Sequence, residues 1–269
     1  MLGAIIGDIV GSIYEFDNIK TKDFEFFQPE MERTDDSILC IATADWLLHG
    51  GEVSHYYSRY ALEYPYPMGG YGGMFKAWSS KVARQGIHKP YNSCGNGSAM
   101  RIAPVGWAFE TEREVLAAAE VSASCTHNHP EGIKGAQATA LCIFLARQGH
   151  TASDIRARIE RDFGYDLSMS VKELQRRYSW QGIDGKGDGG ICQDSVPQAI
   201  ICALQAKDFE DAIRNAISIG GDSDTIGCIA GGIAEALYGI PESIKERAWK
   251  YLDETEGRTV RSFIQKYSI

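Results

Sequence analysis

Gly221-Asp222-Ser223-Asp224-Thr225-Ile226-Gly227, running on into Cys228-Ile229-Ala230-Gly231-Gly232-Ile233-Ala234, is the stretch whose reading decides the fold. It sets two carboxylates and hydroxyl groups just ahead of a long apolar run. The residues before it, Ala212 to Ile219, place their apolar members at helical spacing, so a helix leads in and a helix over 223–238 leads out. An Asp-x-Asp-Thr phosphatase motif would need an apolar strand of a parallel sheet at that point, and the spacing argues against one. The pattern has an echo near the N-terminus. Thr34-Asp35-Asp36-Ser37 precedes Ile38-Leu39-Cys40-Ile41-Ala42, with Thr34 or Asp35 as the natural N-cap of a helix over 36–49.

Outward from these two points the chain reads as helices joined by Gly-rich loops. Over 2–14, Gly3, Gly7 and Gly11 recur every four residues and form a smooth stripe suited to close packing, since exposed glycines would weaken a helix. Further helices are expected over 111–124, 131–148, 151–161, 194–206, 208–218, 242–252 and 257–267, with a short one before Pro104. Tyr64 to Gly73, with four glycines and two prolines, reads as a loop, and 164–192 reads as irregular. Few stretches alternate with period two. The expected fold is all-α, a compact multi-helix single domain spanning 1–269, with no linker or fixed-period repeat.

Composition sets outer limits on function. A chain of 269 residues with 44% hydrophobic and 23% charged residues has an ordinary globular make-up. Its 36 acidic residues against 27 basic ones, a formal net charge of -9, argue against a duplex nucleic-acid footprint. Seven scattered cysteines contain no Cys-x-x-Cys pair, so they read as small buried hydrophobes in a reducing, cytoplasmic setting. Met1 to Asp8 is apolar but lacks a basic flank, which fits neither a signal peptide nor a membrane span.

Each acidic cluster alone would serve as a helix N-cap with acids in the first turn. Both adjoin apolar helices that must be buried, however, and buried carboxylates cost several kcal/mol unless compensated. Carboxylates and hydroxyls without a Cys/His cluster suit hard dications, Mg²⁺ or Mn²⁺, rather than zinc. The Gly-rich loop Asn92-Ser93-Cys94-Gly95-Asn96-Gly97-Ser98 is expected to form a phosphate nest, although it lacks the Gly-Lys-Ser/Thr of a nucleotide-binding P-loop. In Thr126-His127-Asn128-His129-Pro130, a His pair in a loop supplies hydrogen bonds or caps the next helix; ligand contact by His127 is favoured over metal ligation.

The chain resembles the ADP-ribosylglycohydrolase family through an ordered series of motifs. These are Gly3-Ala4-Ile5-Ile6-Gly7-Asp8 through Glu15, Thr34-Asp35-Asp36-Ser37, Gly70-Tyr71-Gly72-Gly73, Gly95-Asn96-Gly97-Ser98-Ala99-Met100-Arg101, Thr126-His127, Ser195-Val196-Pro197 and Gly221 to Gly227. The resemblance implies an all-α fold with a dimetal cleft holding two Mg²⁺ or Mn²⁺ through Thr34, Asp35, Asp36, Asp222, Asp224 and Thr225. It implies that Ser93, Cys94, Gly95, Asn96 and Gly97 hold the diphosphate of ADP-ribose with help from His127, and that Gly70, Tyr71 and Gly72 line the distal-ribose end. Glu15 would be a mobile acid near the metals, and Glu15, Asp35 or Asp222 the general base.

The implied reaction removes ADP-ribose from an ADP-ribosylated protein or other acceptor by hydrolysis at the anomeric carbon, with free ADP-ribose as product. Alternatives are a metal-dependent phosphoesterase acting on ADP-ribose-like nucleotides and a non-catalytic ADP-ribose-binding protein. At Cys94 the chain lacks the aromatic residue that some relatives carry before Gly-Asn-Gly. The adenine contact is therefore expected from Tyr71, His88 or Tyr91. The loop after Glu15 and the 164–192 region are expected to shape the choice of acceptor.

Overall fold

A computed structural model describes residues 1–269. Helices α1 (Leu2–Gly11), α2 (Asp35–His49), α3 (Val53–Glu63), α4 (Gly73–Gln85), α5 (Gly97–Met100), α6 (Ala103–Ala108), α7 (Glu112–Ser124) and α8 (Pro130–Arg147) make up the first half. The second half holds α9 (Ala152–Phe163), α10 (Val171–Arg177), α11 (Cys192–Leu204), α12 (Phe209–Ser218), α13 (Ser223–Tyr238), α14 (Glu242–Ala248) and α15 (Glu254–Tyr267). The all-α expectation is met. The one sheet is a two-residue hairpin, β1 (Tyr178–Ser179) paired antiparallel with β2 (Gly182–Ile183).

At the centre, α1 lies antiparallel on α13 with backbone against backbone. A Cβ built on Gly7 would fall 1.9 Å from the Gly227 carbonyl oxygen, one on Gly3 2.3 Å from that of Gly231, and one on Gly11 2.5 Å from the Asp224 Cα. The glycine stripe of α1 thus meets a second stripe, Gly227 and Gly231, on α13. Any side chain there would push the helices apart, so this pair fixes how closely Asp8 on α1 and Asp224 on α13 approach the same centre. Every residue of α1, Asp8 included, is buried.

Caps mark the helix starts where the sequence supplies them. Thr34 accepts from the Asp36 amide at α2, and Thr111, Thr151, Ser170 and Asp253 form capping boxes at α7, α9, α10 and α15. His129 caps α8 by accepting from the Glu131 amide at 3.1 Å, with Pro130 in the first turn.

Helices α3, α4 and α6 were not expected; α6 carries Pro104 in its first turn, where a missing N-H costs little. In α3 the buried Val53, Tyr57, Tyr60 and Ala61, and in α4 the buried Phe75, Trp78 and Val82, recur at helical spacing, so each helix lays one face on the core. The 164–192 region is not wholly irregular, since it contains α10 and the hairpin. The helices expected over 2–14 and 242–252 both stop early and finish as 3₁₀ turns, Ser12–Tyr14 and Trp249–Tyr251. Seventy-two buried hydrophobic residues form one contiguous core cluster. All seven cysteines are free thiols, five of them buried. No helix is long and apolar enough to cross a membrane.

Candidate active site

The starts of α2 and α13, the loop before α5 and the Gly-rich loop before α4 border a cavity of about 570 Å³. That lies within the range of small-molecule sites. Glu15, Asp35, Asp36, Asp222, Asp224 and Thr225 supply an acidic part; Gly69 to Gly73 with Tyr71 line another; Tyr91, Ser93, Asn96 and His127 supply uncharged donors. The two acidic clusters, far apart in sequence, do meet.

On the N-terminal side the cluster is held by Asp8. Its Oδ1 accepts from the Thr34 hydroxyl at 2.7 Å, and its Oδ2 accepts from the Thr34 and Ser37 amides, each at 3.0 Å. A parallel bridge between Thr34 and Met68 brings the Gly-rich loop alongside. On the C-terminal side Gly220 and Gly221, both at positive φ, turn the chain into α13. Asp222 occupies the N-cap position but makes no side-chain cap bond. Its Oδ2 instead accepts from Asn96 Nδ2 at 2.6 Å, which ties the acidic cluster to the phosphate-type loop.

Asp36 Oδ2 and Asp224 Oδ1 are buried oxygens with no hydrogen-bond partner. Burial first, and then the charges of neighbouring carboxylates, push Asp35, Asp36 and Asp224 well above the usual carboxylate range. Glu15 is raised to about 7, chiefly by burial and then by Asp222 and Asp8. Without a cation these acids repel one another and leave lone pairs unmatched, a state a hard dication would relieve. Glu15, Asp222 and Asp224 place one carboxylate oxygen each within 4.8 Å of one another, a spacing that would hold such an ion. The residues present therefore fit Mg²⁺ or Mn²⁺.

Glu15 packs its Oε2 2.7 Å from where a Gly69 Cβ would sit, at a positive-φ glycine that leaves it room. Its backbone is anchored: Trp180 Nε1 donates to the Glu15 carbonyl at 2.8 Å, and Asn18 donates to the carbonyls of Tyr14, Glu15 and Gly221. Phe16 stacks on Trp180 with centroids 6.3 Å apart and rings 5° from parallel. The two stretches expected to shape acceptor choice thus meet beside Glu15.

In the phosphate-type loop, the Gly95 amide donates to Ser93 Oγ and the Asn96 amide to the Gly190 carbonyl, each at 3.0 Å. Those two N-H groups are engaged within the protein, so the nest is narrower than its sequence suggests. The donors near the loop that remain are side chains, the Ser93 hydroxyl and His127. The imidazole is held neutral, its pKa lowered well below the usual value by burial and by the Arg101 charge. Arg101, fully buried 4.0 Å over the Tyr57 ring, donates through Nη2 to Thr126 Oγ1 at 2.7 Å. Thr126 Oγ1 lies 2.7 Å from His127 Nδ1. Arginine only donates, so Thr126 accepts from it and has its own proton to give to Nδ1. Given that way, the proton would leave His127 protonated on Nε2, the atom nearest Gly95 and Gly97.

Of the residues named from sequence, Thr34 and Cys94 do not line the cavity. Thr34 is fully buried and occupied with Asp8 and the α2 cap, and the Cys94 carbonyl accepts from the Cys192 amide. His88, named for adenine, turns away onto Ser54 and His55, so Tyr71 and Tyr91 remain for that contact. Sequence reasoning assigned no role to Asp8, Arg101, Thr126 or Asn18. The signal for Asp8 was a lone charge inside an apolar helical run, and for Arg101 a lone charge in the apolar stretch between two short helices, residue types almost never fully buried unless paired.

A family profile described as ADP-ribosylglycohydrolase matches residues 1–267. The chain is 29% identical over 329 residues to an ADP-ribosylhydrolase of Homo sapiens, ARH3, covering 95% of this chain and 89% of that protein. It is 27% identical over 286 residues to the ADP-ribosylarginine hydrolase Tri1 of Pseudomonas putida (strain GB-1), covering 93% and 73%. A solved structure titled as an ADP-ribosylglycohydrolase-related protein complex superimposes with a TM-score of 0.69 at 24% identity, over 98% of this chain and 96% of that one.

Proposed function

The chain belongs to the ADP-ribosylglycohydrolase family, and from that premise we propose that it hydrolyses the glycosidic bond joining the distal ribose of ADP-ribose to an acceptor, reversing ADP-ribosylation. The observation that carries the proposal is the pairing, in one cavity, of partnerless buried oxygens on Asp36 and Asp224 with an uncharged donor set around Ser93 and His127.

Asp35, Asp36, Asp222, Asp224 and Thr225 are the residues proposed to hold two Mg²⁺ or Mn²⁺, with Thr34 braced behind them. Bound there, the ions would neutralise the clustered carboxylates and polarise hydroxyl oxygens of the distal ribose. Gly70, Tyr71 and Gly72 would line the ribose end. The Ser93 hydroxyl and the Nε2-H of His127 would donate to the diphosphate, with Gly97 lining the loop beside them and Asn96 held on Asp222. Negative charge on the Asp cluster would favour the oxocarbenium-like transition state at the anomeric carbon. Water adds its oxygen to that carbon and the acceptor leaves with a proton. Glu15, which lines the cavity beside the cluster, is the group proposed to take the proton from water.

A panel of defined ADP-ribosylated arginine, serine, nucleic-acid and small-molecule substrates, assayed with Mg²⁺, Mn²⁺ or chelator, tests this reading. The expected result is free ADP-ribose, formed only with a dication. AMP plus ribose phosphate would move the chemistry to the pyrophosphate, and tight ADP-ribose binding without turnover on any substrate would make the chain a binding protein.

A further inference from the structure

Away from the cavity, the N-terminal turn of α3 faces the segment that follows α4. Glu52, His55 and His88 converge there, each offering a ligand atom within 4.8 Å of the others. The two imidazole Nε2 atoms are 3.2 Å apart. Glu52 Oε2 lies 3.8 Å from His55 Nε2 and 3.6 Å from His88 Nδ1, close to both rings and hydrogen-bonded to neither. The His88 nitrogen facing Glu52 is Nδ1, so a cation held between the two Nε2 atoms would be reached by a rotation of the exposed Glu52 side chain. Two nitrogens bound tetrahedrally at about 2.0–2.1 Å from one ion stand about 3.3 Å from each other, which matches the observed edge.

The outer contacts fit as well. Ser54, buried behind the site, puts its Oγ 2.7 Å from His88 Nδ1. With Nε2 turned to a metal, Nδ1 carries the proton and donates to Ser54, the kind of outer hydrogen bond that orients a ligating histidine. Two imidazoles and one carboxylate with an open fourth position select a borderline dication of the zinc type, in contrast to the carboxylate cluster of the cavity.

We propose that Glu52, His55 and His88 form a second, Zn²⁺-type metal site. The ion would clamp the start of α3 to residues 86–92, the segment that runs directly into the Ser93–Gly97 loop. This site is independent of the carboxylate centre and of the reaction proposed for it. Its chemistry is that of a regulatory or stabilising clamp on the loop.

Calorimetric titration of the full chain with Zn²⁺ in excess Mg²⁺ tests it, beside His55→Ala, His88→Ala and the double variant. His55 is largely exposed and His88 partly so, hence the variants should keep the wild-type circular dichroism and Tm. The expected result is one Zn²⁺ per chain more than the double variant takes up. Its affinity should fall at least tenfold in either single variant and about tenfold in Ser54→Ala. Co²⁺ should give visible absorption of a four-coordinate ion in the wild type and not in the double variant, and Zn²⁺ should slow amide exchange over 86–92. Equal Zn²⁺ uptake by wild type and double variant would overturn the site, including the case in which the cluster merely shares a proton. Binding that leaves exchange over 86–92 unchanged would overturn the clamp.

Discussion

The two halves of the acidic cluster are built on different plans. The N-terminal half is braced from within one neighbourhood, because Asp8 spends its two oxygens on three donors from Thr34 and Ser37 while the Thr34 hydroxyl caps α2. The C-terminal half is braced from afar: Asp222 leans on Asn96, and Gly221 is tied through both its amide and its carbonyl to Asn18. The first plan makes the wall part of the folding core. The second makes it part of the cavity, coupled to the loop proposed to hold phosphate. The difference teaches where damage should appear, as lost stability on one side and as lost turnover on the other.

The largest effect expected is common to both halves. Asp36→Ala and Asp224→Ala each remove a buried oxygen aimed at the proposed dication site, and each should cut release of ADP-ribose by about 10³-fold or more. Dication-dependent stabilisation, read as the Tm difference between Mg²⁺ and chelator, should vanish with it. Hydrolysis retained in either variant would remove that wall from the site.

The braces should separate the two plans. Asp8→Asn puts an amide N-H against donors from Thr34 and Ser37, leaving at least one buried group unsatisfied, which costs about 2–3 kcal/mol. With Mg²⁺ present its Tm should fall by about 5–10 °C. Asn96→Ala lets water or the ion take over the Asp222 oxygen, so its Tm should stay near wild type while kcat/KM drops about 10–100-fold. Similar thermal losses in the two variants would erase the contrast.

Acid crowding gives an intermediate effect in the metal-free protein. Glu15 rises from 4.5 to about 7, and Asp35, Asp36 and Asp224 rise well above 3.8. Folded-state values above the unfolded ones mean that the folded chain holds the extra protons. Stability from this source is therefore full below about pH 4 and is lost as pH climbs through about 7. In chelator, Tm should fall between pH 5 and 8; with saturating dication the fall should disappear, and Asp36→Asn should flatten it without metal. A chelated protein whose Tm does not change over that range would show that the carboxylates do not crowd.

What the sequence made legible follows the same division. The acidic pairs, the all-α class and the α1 glycine stripe could be read, because each is a local pattern with a local cause. The matching stripe at Gly227 and Gly231 was visible in the motif but gained its meaning only from antiparallel contact with α1. Helices α3 and α4 escaped although Tyr57, Tyr60 and Ala61, and Phe75, Trp78 and Val82, recur at helical spacing, because polar residues outnumber them in each stretch and Gly-rich loops adjoin both. Asp8 and Arg101 could have been flagged as lone charges in apolar runs, yet their partners lie 26 to 29 and 21 to 25 residues away. His88 was misplaced for adenine because nothing in a one-dimensional string shows which way a loop side chain turns.

The smallest effect expected lies at the donor part, where the bracing is a relay rather than a wall. If Arg101 and Thr126 fix the proton of neutral His127 on Nε2, then Thr126→Val removes the link while keeping shape and leaving Arg101 over Tyr57. ADP-ribose affinity should fall about tenfold, as for one hydrogen bond to a charged group, with kcat changed far less than KM and Tm nearly constant. Thr126→Ser restores the hydroxyl and should restore affinity. Nitrogen NMR of the imidazole should report Nε2-H in wild type and Thr126→Ser and a mixture of tautomers in Thr126→Val. A wild-type Nδ1-H tautomer would reverse the relay, making Thr126 an acceptor from both neighbours and His127 an acceptor toward the cavity, unsuited to a diphosphate.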